Sequence, residues 1–171
     1  MFRLILCAAV ALLASGFLAN HSAAQAEPPD SVRFYGLSPN SAIAAGVVIP
    51  ADRAVVWTSG TVPPLFNERA DPGTRERYGD TQIQATGILG RIGEQLRELG
   101  LSMADVVYVR AYLVPDPQTG GIDTQGWNEA FSRYFGTQAN PTRPARSTVG
   151  VVALVDSDWL IEIEAFAVYP P

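Results

Sequence analysis

Apolar residues first form one long run near the start of the chain. Residues 4–19 are almost entirely apolar and follow the positively charged Arg3. The small residues Ala24 and Ala26 then mark a cleavage site, so residues 1–26 are predicted to be a signal peptide. The alternative is a retained membrane anchor, although a spanning helix needs roughly 20 apolar residues. We therefore expect an exported protein, periplasmic or secreted, with no membrane contact after cleavage.

Short apolar runs rich in β-branched residues follow. Residues 32–35, 44–49 and 54–59 each predict a strand, and the turn chemistry of residues 50–53 predicts that the second and third strands form a hairpin. Residues 63–79 are polar and contain three prolines. They predict a long surface loop.

The apolar pattern then changes to a helical period. Between Ile83 and Leu99 the apolar positions lie on one stripe, with Asp80 or Thr81 available as N-cap and Gly100 as the stop. A helix is therefore expected here.

The second half alternates strands with another helix. Residues 106–114 form a β-branched run, and residues 127–135 place aromatic residues at helical spacing, where they are expected to be core. Residues 147–154 and 159–168 predict the last two strands.

The order of these elements predicts an α+β domain. Residues 27–171 are expected to form one domain, in which both helices cover the same face of a single sheet. Ile161 and Ile163 alternate with Glu162 and Glu164. The glutamates should therefore share the face opposite the helices.

Composition removes most familiar catalytic chemistry. The single cysteine, Cys7, and the single histidine, His21, lie in the predicted signal peptide, and every basic residue is an arginine. Without Cys, His or Lys, the remaining domain excludes Ser-His-Asp and Cys-His nucleophiles, lysine Schiff bases, disulfides and zinc sites built on Cys or His. With eleven arginines against seventeen acids, its charge is 11 − 17 = −6, which disfavours a nucleic-acid partner.

One arginine stands out as a candidate binding group. Arg146 follows Pro144, which stiffens the backbone, at the start of a predicted strand. Its planar guanidinium suits bidentate binding of a carboxylate. The alternative is a structural ion pair with Glu162 or Glu164. Ser59 also has two interpretations, because hydroxyls at strand ends often satisfy turn backbone.

Several segments together resemble the RidA (YjgF/YER057c/UK114) family of enamine/imine deaminases. They are PARSTV at residues 144–149, IEIEA at 161–165, WTSG at 57–60, and Asn128. The resemblance extends over about residues 44–168. It implies a chorismate-mutase-like α+β protomer, a homotrimer with small-molecule sites in clefts between subunits, and no metal or organic cofactor.

The resemblance also implies residue roles. Arg146 would bind the substrate carboxylate, Glu162 would lie near the attacking water, and Ser59 and Asn128 would line the cleft. Thr148, where many members have a cysteine, is assigned to substrate binding as well. The implied reaction is hydrolysis of 2-imino or enamine acids, such as 2-iminobutanoate or 2-iminopropanoate, to 2-keto acids and ammonia.

Two other functions remain open at this point. The same trimer could bind small carboxylates or keto acids without catalysis, or the arginine-rich loop at residues 68–77 could recognise a protein partner. An exported deaminase would also need an imine made outside the cytoplasm, for example by an oxidase.

Overall fold

The computed structural model describes residues 29–171. The predicted signal peptide, with Cys7 and His21, lies outside the described residues, so this prediction and the domain boundary at residue 27 stay predictions. Within the described part of the chain, no helix combines the length and the apolar character needed to cross a membrane.

Strands and helices alternate along the chain in the predicted order. The elements are β1 (Arg33–Tyr35), β2 (Gly46–Val48), β3 (Val55–Trp57), α1 (Arg75–Tyr78), α2 (Thr81–Glu98), β4 (Val106–Leu113), α3 (Thr124–Ser132), β5 (Ala145–Gly150) and β6 (Ile161–Val168). The two longer helices, α2 and α3, pack against a mixed sheet, which confirms the α+β class.

The main sheet has four strands in the order β3-β6-β4-β5. The β4–β5 pair is parallel, whereas β6 is antiparallel to both of its neighbours. β1 and β2 form a separate two-stranded sheet, connected to the start of β5 by an isolated bridge between Ala44 and Ala145. The predicted mixed sheet is therefore confirmed as the main sheet, and β1 and β2 lie outside it.

The predicted hairpin between residues 44–49 and 54–59 is also wrong. β2 pairs with β1, and β3 pairs with β6 through Val55 and Val168. Turn residues reveal a change of chain direction but not which strand supplies the hydrogen bonds. The eight-residue β6 gives β3 a long edge to pair with, far away in the sequence.

The predicted strand at 147–154 is shorter than expected. β5 ends at Gly150, which lies opposite Leu113, the last residue of β4. The Val151 N–H donates the last hydrogen bond to β4, at 2.8 Å from the Leu113 carbonyl oxygen. Beyond it the chain becomes a loop in which Val152 and Val155 are almost fully exposed.

The stripe of α2 forms the centre of the core. Ile88, Ile92 and Leu96 are fully buried, and the Asp80 side chain accepts a 2.8 Å hydrogen bond from the Ile83 backbone N–H as N-cap. Gly100 follows the helix with φ of 76°, a value that favours glycine. The predicted helix is confirmed.

The helices cover one face of the main sheet and leave the other uncovered. Ile161 and Ile163 are fully buried beneath the helices, so Glu162 and Glu164 point the other way, as predicted. We call the covered side the helix face and the other side the open face. On the open face lie Val55, Trp57, Tyr108, Arg110, Tyr112, Glu162, Glu164 and Phe166.

Candidate functional site

Arg146 lies on an aromatic floor provided by α3. Its Cζ atom is 4.6 Å from the ring centroid of Phe131 and 5.2 Å from that of Trp127. Its Nη2 donates a 2.7 Å hydrogen bond to Oδ1 of Asn128. Burial lowers the pKa of Arg146 from its ordinary value, because the guanidinium has lost part of its hydration. An anion in contact with the group would compensate for that loss.

Within residues 29–171, Arg146 forms no salt bridge. Glu164 instead pairs with Arg110, with 3.3 Å between Arg110 Nη1 and Glu164 Oε2. The second carboxylate oxygen of Glu164, Oε1, accepts a 3.3 Å hydrogen bond from the Tyr112 hydroxyl. The alternative of a structural pair between Arg146 and Glu162 or Glu164 is therefore not found in the protomer.

Thr148 lies on the same side of β5 as Arg146, two residues further along. Its Oγ1 accepts a 3.0 Å hydrogen bond from Nε1 of Trp127. The structure thus brings Arg146, Asn128 and Thr148 together, and we call these three residues with Trp127 the acid-binding group. A cleft of about 720 Å³ lies beside it, lined in part by Ile43, Asn128, Phe131, Arg143 and Arg146.

Glu162 and Ser59 lie near each other on a different part of the protomer. The Glu162 carboxylate stands directly over Gly60, where a Cβ atom would overlap its Oε1. Ser59 precedes Gly60 and is exposed. Burial, and secondly the negative charge of Glu164, raise the pKa of Glu162 above its ordinary value. We call Ser59, Gly60 and Glu162 the water-side group.

The two groups lie on opposite faces of the sheet. Arg146 is in register with Val109, which is fully buried on the helix face, whereas Glu162 is in register with Tyr112 on the open face. One protomer therefore does not bring Arg146 and Glu162 into one site.

Sequence reasoning missed the dual role of the α3 aromatic residues. Trp127 and Phe131 are core residues, as their helical spacing predicts, yet they also form the floor beneath Arg146. In the sequence Trp127 and Phe131 lie one helical turn apart and Asn128 follows Trp127. This spacing is the pattern that could have indicated a shared aromatic floor. Among residues 29–171 no cluster of acidic, His or Cys side chains could hold a metal ion.

Known proteins are similar to this chain in sequence. A sequence model of the family described as Endoribonuclease L-PSP matches residues 44–169. The chain is 36% identical over 113 residues to a RutC family protein of Pyrococcus abyssi, an alignment that covers 66% of this chain and 76% of that protein.

Solved structures agree on the fold. The Rid family protein YyfB from Yersinia pestis superposes with a TM-score of 0.58 at 24% identity, covering 81% of this chain and 99% of that chain. E. coli TdcF, solved with bound serine, gives 0.52 at 28% identity, covering 76% and 96%. The fold is thus that of the Rid and YjgF proteins. The chain belongs to the Endoribonuclease L-PSP family, also known as YjgF/RidA, and the resemblance stated from the sequence is confirmed.

Proposed function

We propose that the protein hydrolyses small 2-imino or enamine acids to 2-keto acids and ammonia, in clefts between the protomers of a homotrimer. The observation that carries this proposal is the state of Arg146. Its partly buried guanidinium rests on two aromatic rings and hydrogen bonds to a neutral amide. A cation in that setting favours an incoming carboxylate.

The acid-binding group would hold the substrate. Arg146 has N–H donors beyond the one used by Asn128, and two of them can bind a carboxylate side by side. The Asn128 bond fixes the plane of the guanidinium, and the Thr148 hydroxyl adds a polar group next to it. These contacts orient C2 of the acid for attack.

Glu162 of a neighbouring protomer would then activate water. The water oxygen bonds to C2 while the C=N electron pair moves to nitrogen, and Glu162 takes the proton that the water loses. That proton is passed to nitrogen, which leaves C2 bearing a hydroxyl and an amino group. Glu162 then transfers the hydroxyl proton to the amino nitrogen, the C–N bond breaks with its electron pair going to nitrogen, ammonia leaves, and the C2 carbonyl forms. A carboxylate whose pKa is raised by burial is a better proton acceptor than an ordinary glutamate.

The open face supports assembly from several copies. Trp57 is 66% exposed and stacks on Phe166, whose ring also contacts Tyr108. Aromatic surface of this kind is typical of protein interfaces. A second copy covering this face is the arrangement that lets Glu162 meet another protomer's Arg146.

The decisive assay measures ammonia release from imines made in situ by an amino-acid oxidase. We expect the protein to accelerate release and Arg146→Ala to abolish the acceleration. Arg133→Ala is the matched control, because Arg133 is an exposed arginine just after α3. No acceleration by well-folded protein, across several imines, would exclude the deaminase.

The second candidate is binding of a small carboxylate without catalysis. It is favoured by TdcF having been solved with bound serine. Ammonia release by the wild type and by Glu162→Gln, measured beside calorimetry, separates the two: acid binding should persist in Glu162→Gln in either case, whereas only an enzyme releases ammonia in the wild type and loses that activity in the variant.

Two further functions have less support. The family description names an endoribonuclease, but the chain's net charge of −5 opposes RNA binding. In the arginine-rich loop, Arg75 pairs with Asp116 and Arg77 donates to the Ala70 carbonyl, so both side chains have partners within the protomer. We retain export as part of the proposal, with an imine formed outside the cytoplasm.

A further inference from the structure

Trp127 contacts two of the polar side chains beside the cleft, Arg146 and Thr148. The face of its indole ring lies against the Arg146 guanidinium, and its N–H edge donates to Thr148 Oγ1 at 3.0 Å. The ring is fully buried and packs edge-to-face against Phe131, with centroids 5.4 Å apart. Its position is therefore fixed by the core.

This contact fixes the direction of the Thr148 hydroxyl proton. An indole N–H can only donate, so the threonine oxygen must accept and its own proton must point elsewhere. In residues 29–171 the Trp127 contact is the hydrogen bond found at this hydroxyl. Because Thr148 is exposed, its proton is free to donate to a ligand.

The Thr148 hydroxyl is placed to reach a group on C2, the carbon next to the ligand carboxylate. Arg146 and Thr148 point to the same side of β5 and are separated by about 6.6 Å along the strand. If Arg146 holds the carboxylate, an acceptor atom on C2 lies three bonds from the carboxylate oxygens, and a ligand that extends along β5 brings this atom towards Thr148.

We propose that Trp127 is a positioning residue that holds the Thr148 hydroxyl as a hydrogen-bond donor to the C2 acceptor atom of the ligand. The acceptor is the keto oxygen of a 2-keto acid or the imine nitrogen of a 2-imino acid. The site therefore selects these acids over the same acids without an acceptor at C2. This inference rests on the proposed function, because it assumes that Arg146 holds the carboxylate.

The test compares 2-oxobutanoate with butanoate by calorimetry, since the two acids differ at C2 alone. Thr148→Val keeps the shape but removes the donor, and should reduce the preference for 2-oxobutanoate about tenfold. Thr148→Ser should retain it. Trp127→Phe keeps a ring beneath Arg146 but removes the N–H that contacts the Thr148 hydroxyl. The hydroxyl proton can then take three staggered positions, so the preference for 2-oxobutanoate over butanoate should fall about threefold. The preference is the ratio of the two affinities measured on the same variant, so a general change in acid binding cancels from it.

The Trp127 indole N–H resonance gives a second readout, assigned by its loss in Trp127→Phe. We expect 2-oxobutanoate to shift it more than butanoate does, and Thr148→Val to remove that difference.

Each failure has a distinct meaning. If Thr148→Val retains the preference, this inference is overturned, while loss of both acids in Arg146→Ala still supports the carboxylate site. If Thr148→Val lowers the preference but Trp127→Phe does not, the positioning role of Trp127 is overturned. If the wild-type protein binds neither acid, the proposed function is overturned as well.

Discussion

Arg146 and Glu162 project from opposite faces of the same four-stranded sheet. Arg146 is aligned with buried Val109 and contacts α3, whereas Glu162 is aligned with Tyr112 on the side that no helix covers. A reaction that uses both side chains therefore needs two copies of the chain.

Mixed assemblies test this requirement directly. Arg146→Ala and Glu162→Gln homotrimers should each be inactive, but coexpression of the two with different tags should restore activity. Random mixing in a ring of three leaves about a quarter of the sites with both wild-type residues, so about a quarter of wild-type activity is expected.

The control is coexpression of Arg146→Ala with the Arg146→Ala/Glu162→Gln double variant, in which no site regains its arginine. Verified mixed trimers without recovered activity would contradict a site shared between protomers.

The raised pKa of Glu162 predicts the acid limit of activity. Hydrolysis needs the ionised carboxylate, so kcat/KM should fall with decreasing pH at a value above the ordinary glutamate pKa of about 4.3. Glu164→Gln removes a neighbouring negative charge, which lowers the pKa of Glu162. The pH at which kcat/KM falls should therefore be lower in this variant. Glu76→Gln, at an exposed position, serves as control. If kcat/KM of Glu164→Gln falls at the same pH as that of the wild type, Glu164 does not influence the pKa of Glu162.

Gly60 controls the position of the Glu162 carboxylate. Because an added Cβ would overlap Oε1, Gly60→Ala should displace the carboxylate and lower kcat about a hundredfold. Affinity for 2-oxobutanoate should change little, since Arg146 lies elsewhere. Gly121→Ala is the matched control, because a Cβ there meets no atom within 4 Å. Equal kcat values for both variants would show that the carboxylate position is unimportant.

Trp57 should be essential for assembly. Placing a charge in a covered aromatic interface is costly, so Trp57→Asp should release monomers, as measured by light scattering after gel filtration. Phe66→Asp provides a matched control, since Phe66 is 65% exposed against 66% for Trp57 but lies outside the main sheet. If Trp57→Asp elutes with the wild-type mass, the open face is not the interface.

The buried carboxylate of Asp116 should stabilise the loop that contains α1. Asp116 is 1% exposed and lies 2.6 Å from Arg75 Nη1, so Asp116→Asn should lower the free energy of unfolding by about 3 kcal/mol. The Arg75 contact lowers the pKa of Asp116. Its stabilisation is therefore complete above the unfolded-state pKa of about 3.9 and is lost as pH falls through the folded-state pKa.

Urea unfolding at pH 7 and pH 3 should show the difference between wild type and Asp116→Asn shrinking in acid. Asp52→Asn removes a carboxylate that is 78% exposed and lies 3.7 Å from Arg53, so it should change the unfolding free energy by less than about 0.5 kcal/mol. A similar effect of both substitutions would contradict the role of burial.

Local sequence patterns predicted most of the helices and strands, but they did not predict which distant residues pair. The stripe of α2 and the alternation around Glu162 follow from periodicity, because each depends on neighbours in the chain. The partner of β3, the Arg75–Asp116 pair and the opposite faces of Arg146 and Glu162 depend on strand register and on contacts between distant residues. The hydrogen bond from Trp127 to Thr148 belongs to the same class, since helical spacing predicts a buried ring but not where its N–H points.

The side chains proposed to hold the acid all come from one short stretch of sequence. Residues 124–148 contain α3, its connector and the first part of β5, whereas the uncovered aromatic surface comes from β3, β4 and β6. Ligand preference and subunit association can therefore diverge independently during evolution. Exchanging this single segment between homologues should therefore transfer a binding preference while leaving the open face unchanged.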